Sequence, residues 1–501
     1  MQGKSLSVNL IANIFSYAIA TFLSFLITPY IVNHLGKEIY GFYGIANNFV
    51  NYITVIAIAL NSMAAKYITV EVVRGNEIKA QQYYSSIFFS NVILCLILIP
   101  ILIFIVFKLN VLLQVANDYY FGVQVLFALI FMAMILRFST SIYGTATYVT
   151  NRLDLKAYTD IAKSVLRLCL YLMLFVVLQP SIIYLGIILF LIEAFNSLIQ
   201  VILSKRLLPW MSVRTAYFDV KLVLSTLKIG TWNSLNQLGD LMLSSSSLIM
   251  ANILLGEAAS GDISIVKVMP VLISGIITAV NSVFMPRVAI TYAKNNVEKL
   301  VEEVKQAQKI MGMIIIPVVM LLIVFGEDFY KLWVPETDSV LLAKLSAIDV
   351  SRMILIAVVW PVSNLNIVLD KVKIPSILVL LSGILNILIM ILLTKVTNIG
   401  IFSIVISTLI LTILFYGVFI PMYPCRNLKI KSSAFMEPLV KMFVTVAIVG
   451  CVIVPLHNNF IINNWIDFFL KGFVCAIPAY LISVLVFMDL GKIFNLVKRK
   501  R

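Results

Sequence analysis

The sequence predicts an all-α polytopic membrane protein of about fourteen transmembrane helices: two six-helix lobes in parallel repeat, plus two additional C-terminal helices. Three observations predict it. The chain of 501 residues is 61% hydrophobic and 12% charged, with a mean hydropathy of +1.03, whereas a soluble chain carries about 25% charged residues. The apolar residues fall into fourteen runs close to the ~20 residues that span a bilayer core as helix. Backbone groups in lipid must be satisfied internally, and the alternating polarity of membrane strands is absent, so these runs read as helices. Finally, one pattern occurs twice at an offset of 220 residues: Gly36-Lys37-Glu38-Ile39-Tyr40-Gly41 returns as Gly256-Glu257-Ala258-Ala259-Ser260-Gly261.

Run one, Val8–Val32, contains no acid, is too long for a signal peptide and lacks a small-residue cleavage site, so it reads as a retained span. Run two, Gly41–Met63, is spotted with Asn47, Asn48, Asn51 and Asn61. Run three is Ser85–Phe107, and run four, Tyr119–Thr147, holds Arg137 far from either flank. Run five, Tyr158–Leu178, brings Asp160, Lys163 and Arg167 near its cytoplasmic end, and run six, Ile182–Leu203, holds Glu193.

Run seven, Leu227–Leu254, repeats run one: Asn233 and Ser244 match Asn13 and Ser24, while Asp240 replaces Ala20. Run eight, Ile263–Met285, repeats run two: Ile273, Ile276, Ala279, Asn281 and Ser282 match Ile53, Ile56, Ala59, Asn61 and Ser62, while Lys267 replaces Asn47. Before run nine, Ile310–Phe325, residues Val297, Leu300, Val301 and Val304 share one helical face. That segment reads either as a surface helix along the inner interface or as a solvated connector. Run ten, Leu341–Leu369, is the counterpart of run four and carries Asp349 and Arg352, three apart on one face. Runs eleven to fourteen are Ser376–Leu393, Gly400–Met422, Pro438–Pro455 and Trp465–Phe487. The expected divisions are therefore 1–215, 216–430 and 431–501, with the last two spans outside the repeat.

The net charge of +15 suggests an anionic macromolecule until its location is considered. With a cytoplasmic N-terminus, 26 Lys and Arg fall on the cytoplasmic side and 4 (Lys37, Lys108, Lys331 and Lys395) on the outer side. This is the positive-inside distribution, which puts both termini in the cytoplasm and explains the basic charge without nucleic acid. Chemistry is absent by motif. No phosphate-cradling G-x-x-x-x-G-K-[ST], no H-E-x-x-H, no Ser nucleophile elbow and no acidic metal cluster occurs. The five cysteines are scattered, and His34 and His457 both fall in outer connections. The chain reads as a secondary transporter rather than an enzyme, with no cofactor and with a proton or sodium gradient as the available driving force.

Intramembrane charge is costly and is expected to face the interior. The candidate cavity residues are Arg137, Arg352 and Lys267 as cations, Asp240, Asp349 and Glu193 as acids, and the amides Asn61 and Asn281. Several have a structural alternative: Arg137 could pair with Glu193 or with backbone carbonyls, Arg352 with Asp349, and the amides could hold helices together.

Pro29-Tyr30-Ile31-Val32 running into Gly36-x4-Gly41, Phe284-Met285-Pro286 after span eight and Leu332-Trp333 after span nine, in a 6+6+2 layout, resemble Wzx-type flippases. These are O-antigen and polysaccharide translocases of the multidrug/oligosaccharidyl-lipid/polysaccharide (MOP) exporter superfamily. The resemblance implies a two-lobe fold and an undecaprenyl-pyrophosphate-linked oligosaccharide as substrate. It also implies flipping from the cytoplasmic to the periplasmic leaflet of a bacterial inner membrane, among membrane lipids and alongside a polysaccharide polymerase and a chain-length regulator. A cation-coupled drug exporter of the same superfamily is the rival that Asp240 keeps open, although run one has no acid. A membrane-embedded glycan polymerase or ligase would need a large outer loop, which the sequence lacks.

Overall fold

The computed structural model describes residues 25–488, less 62, 63, 151, 179, 295 and 370, together with 19 and 23. Asn9, Asn13, Ser24, Lys4 and the basic tail from Lys492 lie outside the described residues. Every regular element among the described residues is helical. In order, the first six are α1 (Phe25–Leu35), α2 (Lys37–Asn61), α3 (Ala64–Val73), α4 (Glu77–Phe107), α5 (Leu109–Leu112) and α6 (Asn117–Thr140). A 3-10 turn at Ser141–Gly144 leads to α7 (Thr145–Val149), then α8 (Leu153–Tyr171), which ends in a π turn, and α9 (Ile182–Leu207). Next come α10 (Val220–Ser244), α11 (Ser246–Leu255), α12 (Glu257–Val266) and α13 (Val268–Ala293). The chain closes with α14 (Val297–Val324), α15 (Gly326–Trp333), α16 (Ser339–Val368), α17 (Lys373–Val396), α18 (Phe402–Thr412), α19 (Ile420–Leu428), α20 (Glu437–Asn458) and α21 (Trp465–Phe487).

Ten described helical stretches are long and apolar enough to cross a membrane, or eleven when α10 and α11, bent by 43°, count as one span. Two expected spans are helical but are not among these stretches. These are run five in α8, with Asp154, Lys156, Asp160, Lys163 and Arg167, and run ten in α16, with Lys344, Asp349 and Arg352.

The chain divides into two compact units, Met1–Gly261 and Asp262–Arg501. In the first, α6 packs along α9, and α10 packs along α2. The second seam is bridged by side chains reaching backbone carbonyls. Ser234 Oγ donates to Val55 O at 2.9 Å, Tyr52 OH to Leu241 O at 3.1 Å, and Asn48 Nδ2 to Ser245 O at 3.1 Å. The pairing runs 55–234, 52–241, 48–245, so the helices are antiparallel.

The repeated glycines have distinct physical roles. Gly36 and Gly256 end α1 and α11 at φ +89° and +97°, a region where side-chain-bearing residues are strained. Gly41 and Gly261 let backbones meet: a Cβ on Gly41 would lie 2.8 Å from Gly261 N, and one on Gly261 would lie 2.5 Å from Lys37 O.

In the second unit α14 packs most extensively on α16, and α20 and α21 pack on α14. The amphipathic segment before run nine is neither a separate surface helix nor a solvated connector. It forms the first turns of α14, continuous with the span, and Leu300 and Val304 are fully buried. Its Lys309 reaches Glu437 of α20 at 3.2 Å. Further along, Gly312 meets the α21 terminus, where a Cβ would lie 2.4 Å from the ring of Phe487. Gly312→Ala is therefore expected to destabilise the protein by about 1–3 kcal/mol through overpacking. Phe487→Leu in the same chain should recover part of that loss, read as the thermal midpoint of the detergent-solubilised protein; an unchanged midpoint for Gly312→Ala would remove this contact from the argument.

Candidate functional site

The second unit holds a buried cluster of three charges. Pro270 lacks the N–H that would bond Val266 O, which loosens the helix between α12 and α13. Lys267 occupies that break. Across from it, one turn of α16 presents Asp349 and Arg352 on a common face. Arg352 Nε donates to Asp349 Oδ1 at 2.7 Å. Lys267 Nζ stands 3.0 Å from Asp349 Oδ2 and 3.2 Å from Oδ1. Asp349 is fully buried, Arg352 is 5% exposed, and the Lys267 side chain is 13% exposed. One carboxylate thus faces two cations, so the cluster carries one excess positive charge. Tyr330 of α15 is buried, and its hydroxyl has no hydrogen-bond partner among the described residues.

The first unit holds a cation of a different kind. Arg137, in the last turn of α6, directs Nη2 to Thr54 Oγ1 at 3.3 Å, and its guanidinium carbon lies 5.8 Å from the centroid of the Phe138 ring. Thr54 itself donates to Val50 O at 2.7 Å, so its oxygen is free to accept. Among the described residues no carboxylate pairs with Arg137. Glu193 instead accepts from Asn196 at 3.1 Å.

The other expected residues are placed as follows. Asn61 joins three elements: it exchanges amide bonds of 3.0 Å with Asn91 and accepts from Ser141 at 3.2 Å. Asp240 is half-buried on α10, and no partner to its carboxylate occurs among the described residues. Asn281 is buried, with its Oδ1 unpartnered among the described residues. The structure therefore unites Lys267, Asp349 and Arg352 and, among the described residues, leaves Arg137 without an acid. Tyr330 was missed by sequence reasoning because it lies in the connection between runs nine and ten, where a lone aromatic carries no distinguishing pattern. No His/Cys/Asp/Glu group able to hold a metal occurs among the described residues.

No family model matches the sequence. The chain is 26% identical over 434 residues to the uncharacterised membrane protein EpsK of Bacillus subtilis (strain 168), covering 87% of this chain and 86% of EpsK. Among solved structures, it is similar to the lipid II flippase MurJ in an inward closed conformation, with a TM-score of 0.70 and 15% identity over 96% of this chain and 99% of that one. It is also similar to an inward-facing multidrug resistance MATE transporter of the MOP superfamily, with a TM-score of 0.66 and 15% identity over 88% and 99% of the two chains. A MOP superfamily transporter from Pyrococcus furiosus gives a TM-score of 0.57 at 13% identity over 88% of this chain and 99% of that one. With membrane-length helices throughout and these likenesses over nearly its full length, the chain has the fold shared by the MurJ flippase and the MATE transporters.

Proposed function

We propose that this protein flips an undecaprenyl-pyrophosphate-linked oligosaccharide, the repeat unit of a surface polysaccharide, from the cytoplasmic to the outer leaflet by alternating access. Arg137 carries the reading. A guanidinium within a span, held by one threonine oxygen and one ring and, among the described residues, by no acid, is an anion receptor waiting for its anion, and its planar fork matches phosphate oxygens. The excess positive charge at Lys267, Asp349 and Arg352 adds a second attraction for pyrophosphate or acidic sugars. The fold supports the same reading, since the similarity to a lipid II flippase extends over 96% of the chain. The lipid tail remains in the bilayer while the polar head exchanges water for these groups. A bacterial inner membrane, cytoplasmic termini and work beside a polymerase and a chain-length regulator belong to this proposal.

Arg137→Gln is expected to reduce surface polysaccharide at least tenfold at an unchanged level of membrane protein, while Arg137→Lys retains part of it; a charged hydrogen bond contributes about 1.5–3 kcal/mol. Normal surface glycan with Arg137→Gln would refute the assignment. Asp240 supports the alternative of a cation-coupled exporter, since an unpartnered intramembrane carboxylate can carry a proton or sodium ion. Drug efflux from proteoliposomes that is lost in Asp240→Asn, with glycan display intact, would favour that alternative.

A further inference from the structure

A cavity of about 300 Å³ with mixed polar and apolar lining lies within the first unit where α7, α8 and α9 converge beside Ala65 of α3. That volume stands at the lower end of the roughly 300–1,000 Å³ of small-molecule sites. The basic connections nearby put this end of the unit in the cytoplasm by the positive-inside rule. Three stripes face the cavity. α8 supplies Lys156, Thr159, Asp160 and Lys163, and α9 supplies Asn196 and Gln200, at i, i+3 and i+4 spacings. The third stripe follows the 3-10 turn that interrupts span four at Ser141–Gly144, an irregularity often found at functional positions. Gly144 leaves room there for Gln200, whose Oε1 would lie 3.3 Å from a Cβ.

The chemistry of these walls is directional. Thr145, Thr147 and Thr159 donate to carbonyls of their own segment at 2.6, 3.0 and 2.9 Å. Only their acceptor lone pairs remain for a ligand. Asn196 gives one amide N–H to Glu193, and Gln200 gives one to Asn196 Oδ1 at 3.4 Å, so each keeps a second N–H, and the Gln200 oxygen is a further acceptor. Further donors come from the two lysines, and Tyr143 and Tyr148 also line the cavity. Lys163 holds Asp160 at 2.6 Å with N–H groups to spare, and Lys156 is exposed at the mouth. A ligand that both gives and takes hydrogen bonds therefore matches these walls. Inorganic phosphate offers mainly acceptors and would be repelled by the threonine oxygens and Asp160; a small cation would be repelled by the two lysines. A polyhydroxylated ring, each hydroxyl both donor and acceptor, satisfies both sets.

We propose that this cavity is a sugar-binding vestibule on the cytoplasmic side, taking a monosaccharide unit of the glycan, with the Lys163 edge favouring a sugar that bears a carboxylate or N-acetyl oxygen. The physiological role rests on the transport reading above, but the site is measurable without transport. The full chain in detergent would be studied by saturation-transfer NMR with N-acetylglucosamine and glucuronic acid, with inorganic phosphate as competitor. Saturation transfer to the sugars that phosphate does not displace is expected. Thr159→Val should weaken binding about tenfold while the fold persists, because the lost hydroxyl bonds only within its own helix. Lys163→Met should remove the preference for glucuronic acid. No transfer from either sugar, displacement by phosphate, or binding indifferent to both substitutions would overturn the proposal. Normal surface glycan with Arg137→Gln would remove the transport reading while leaving this binding result to be judged alone.

Discussion

Asp349→Asn is expected to remove most of the folded protein from the membrane. The carboxylate is fully buried between Arg352 Nε at 2.7 Å and Lys267 Nζ at 3.0 Å, so neutralising it strands two cations without water or counter-charge. Breaking a buried ion pair from one side costs about 3–5 kcal/mol, because the remaining charge keeps its desolvation penalty and loses its compensation. Here one substitution leaves two such charges. The effect would be read as the yield of monodisperse protein and as its thermal midpoint in detergent. Adding Lys267→Met to Asp349→Asn removes one stranded cation and should recover part of the loss. If Asp349→Asn matches the parent chain in both measurements, the cluster is hydrated and the argument fails.

The same cluster can be tested for purpose. Buried ion networks replaced entirely by apolar residues of similar volume are often neutral or stabilising. A triple variant, Lys267→Met with Asp349→Leu and Arg352→Met, is therefore expected to fold. If the excess positive charge serves the substrate, that folded variant displays little surface glycan. If glycan is normal, the triad is a structural element, and Arg137 alone carries the anion.

Much of the fold was legible because lipid imposes a strict rule on backbone and composition. Thirteen of the fourteen apolar runs coincide with described helices, and the first lies mostly outside the described residues. The repeat at 220 residues marked Gly36, Gly41, Gly256 and Gly261 before any geometry was known, but not their separate reasons. A sequence does not distinguish a glycine that supplies positive φ from one that admits a neighbouring backbone. The pairing of Asp349 with Arg352 was legible from a spacing of three. The addition of Lys267, 82 residues away, was not, because helix-to-helix register depends on packing. For the same reason Arg137 and Glu193, on the neighbouring helices α6 and α9, offered a pair that the structure does not form. The segment at Val297 was misread because amphipathic periodicity is the same for a free surface helix and for the buried start of a longer one.

The charged spans express a common principle. α8 and α16 both carry their ions as ordered groups: Lys163 with Asp160 in one, Arg352 and Lys267 with Asp349 in the other. Membrane helices tolerate ions where partners or enclosed water replace the hydration lost. The location of charge in the sequence therefore located polar interior, although it did not identify which groups met.

Gly230→Ala should destabilise the protein even though helix propensity predicts the reverse. Within a helix, alanine is favoured over glycine by about 0.5–1 kcal/mol. Gly230, however, lies against α2 so closely that a Cβ would stand 2.0 Å from Ala59 O, 2.7 Å from its carbonyl carbon and 2.9 Å from its Cα. All three atoms are backbone, so no side-chain rotation relieves the overlap; α2 and α10 must move apart, and overpacking of this kind costs about 1–3 kcal/mol. The bond from Ser234 to Val55 O, one turn along the seam, would lengthen first. Gly472 in α21 supplies the control, since no atom outside its own helix lies within 4 Å of a Cβ there. Gly472→Ala should raise the thermal midpoint as propensity dictates, while Gly230→Ala lowers it. Cysteines at Val55 and Ser234, with exposed Cys169 and Cys451 changed to serine, should cross-link more slowly when Gly230→Ala is added. Equal stabilisation by both alanines would mean that α2 and α10 do not meet at Gly230, and the close seam would have to be abandoned.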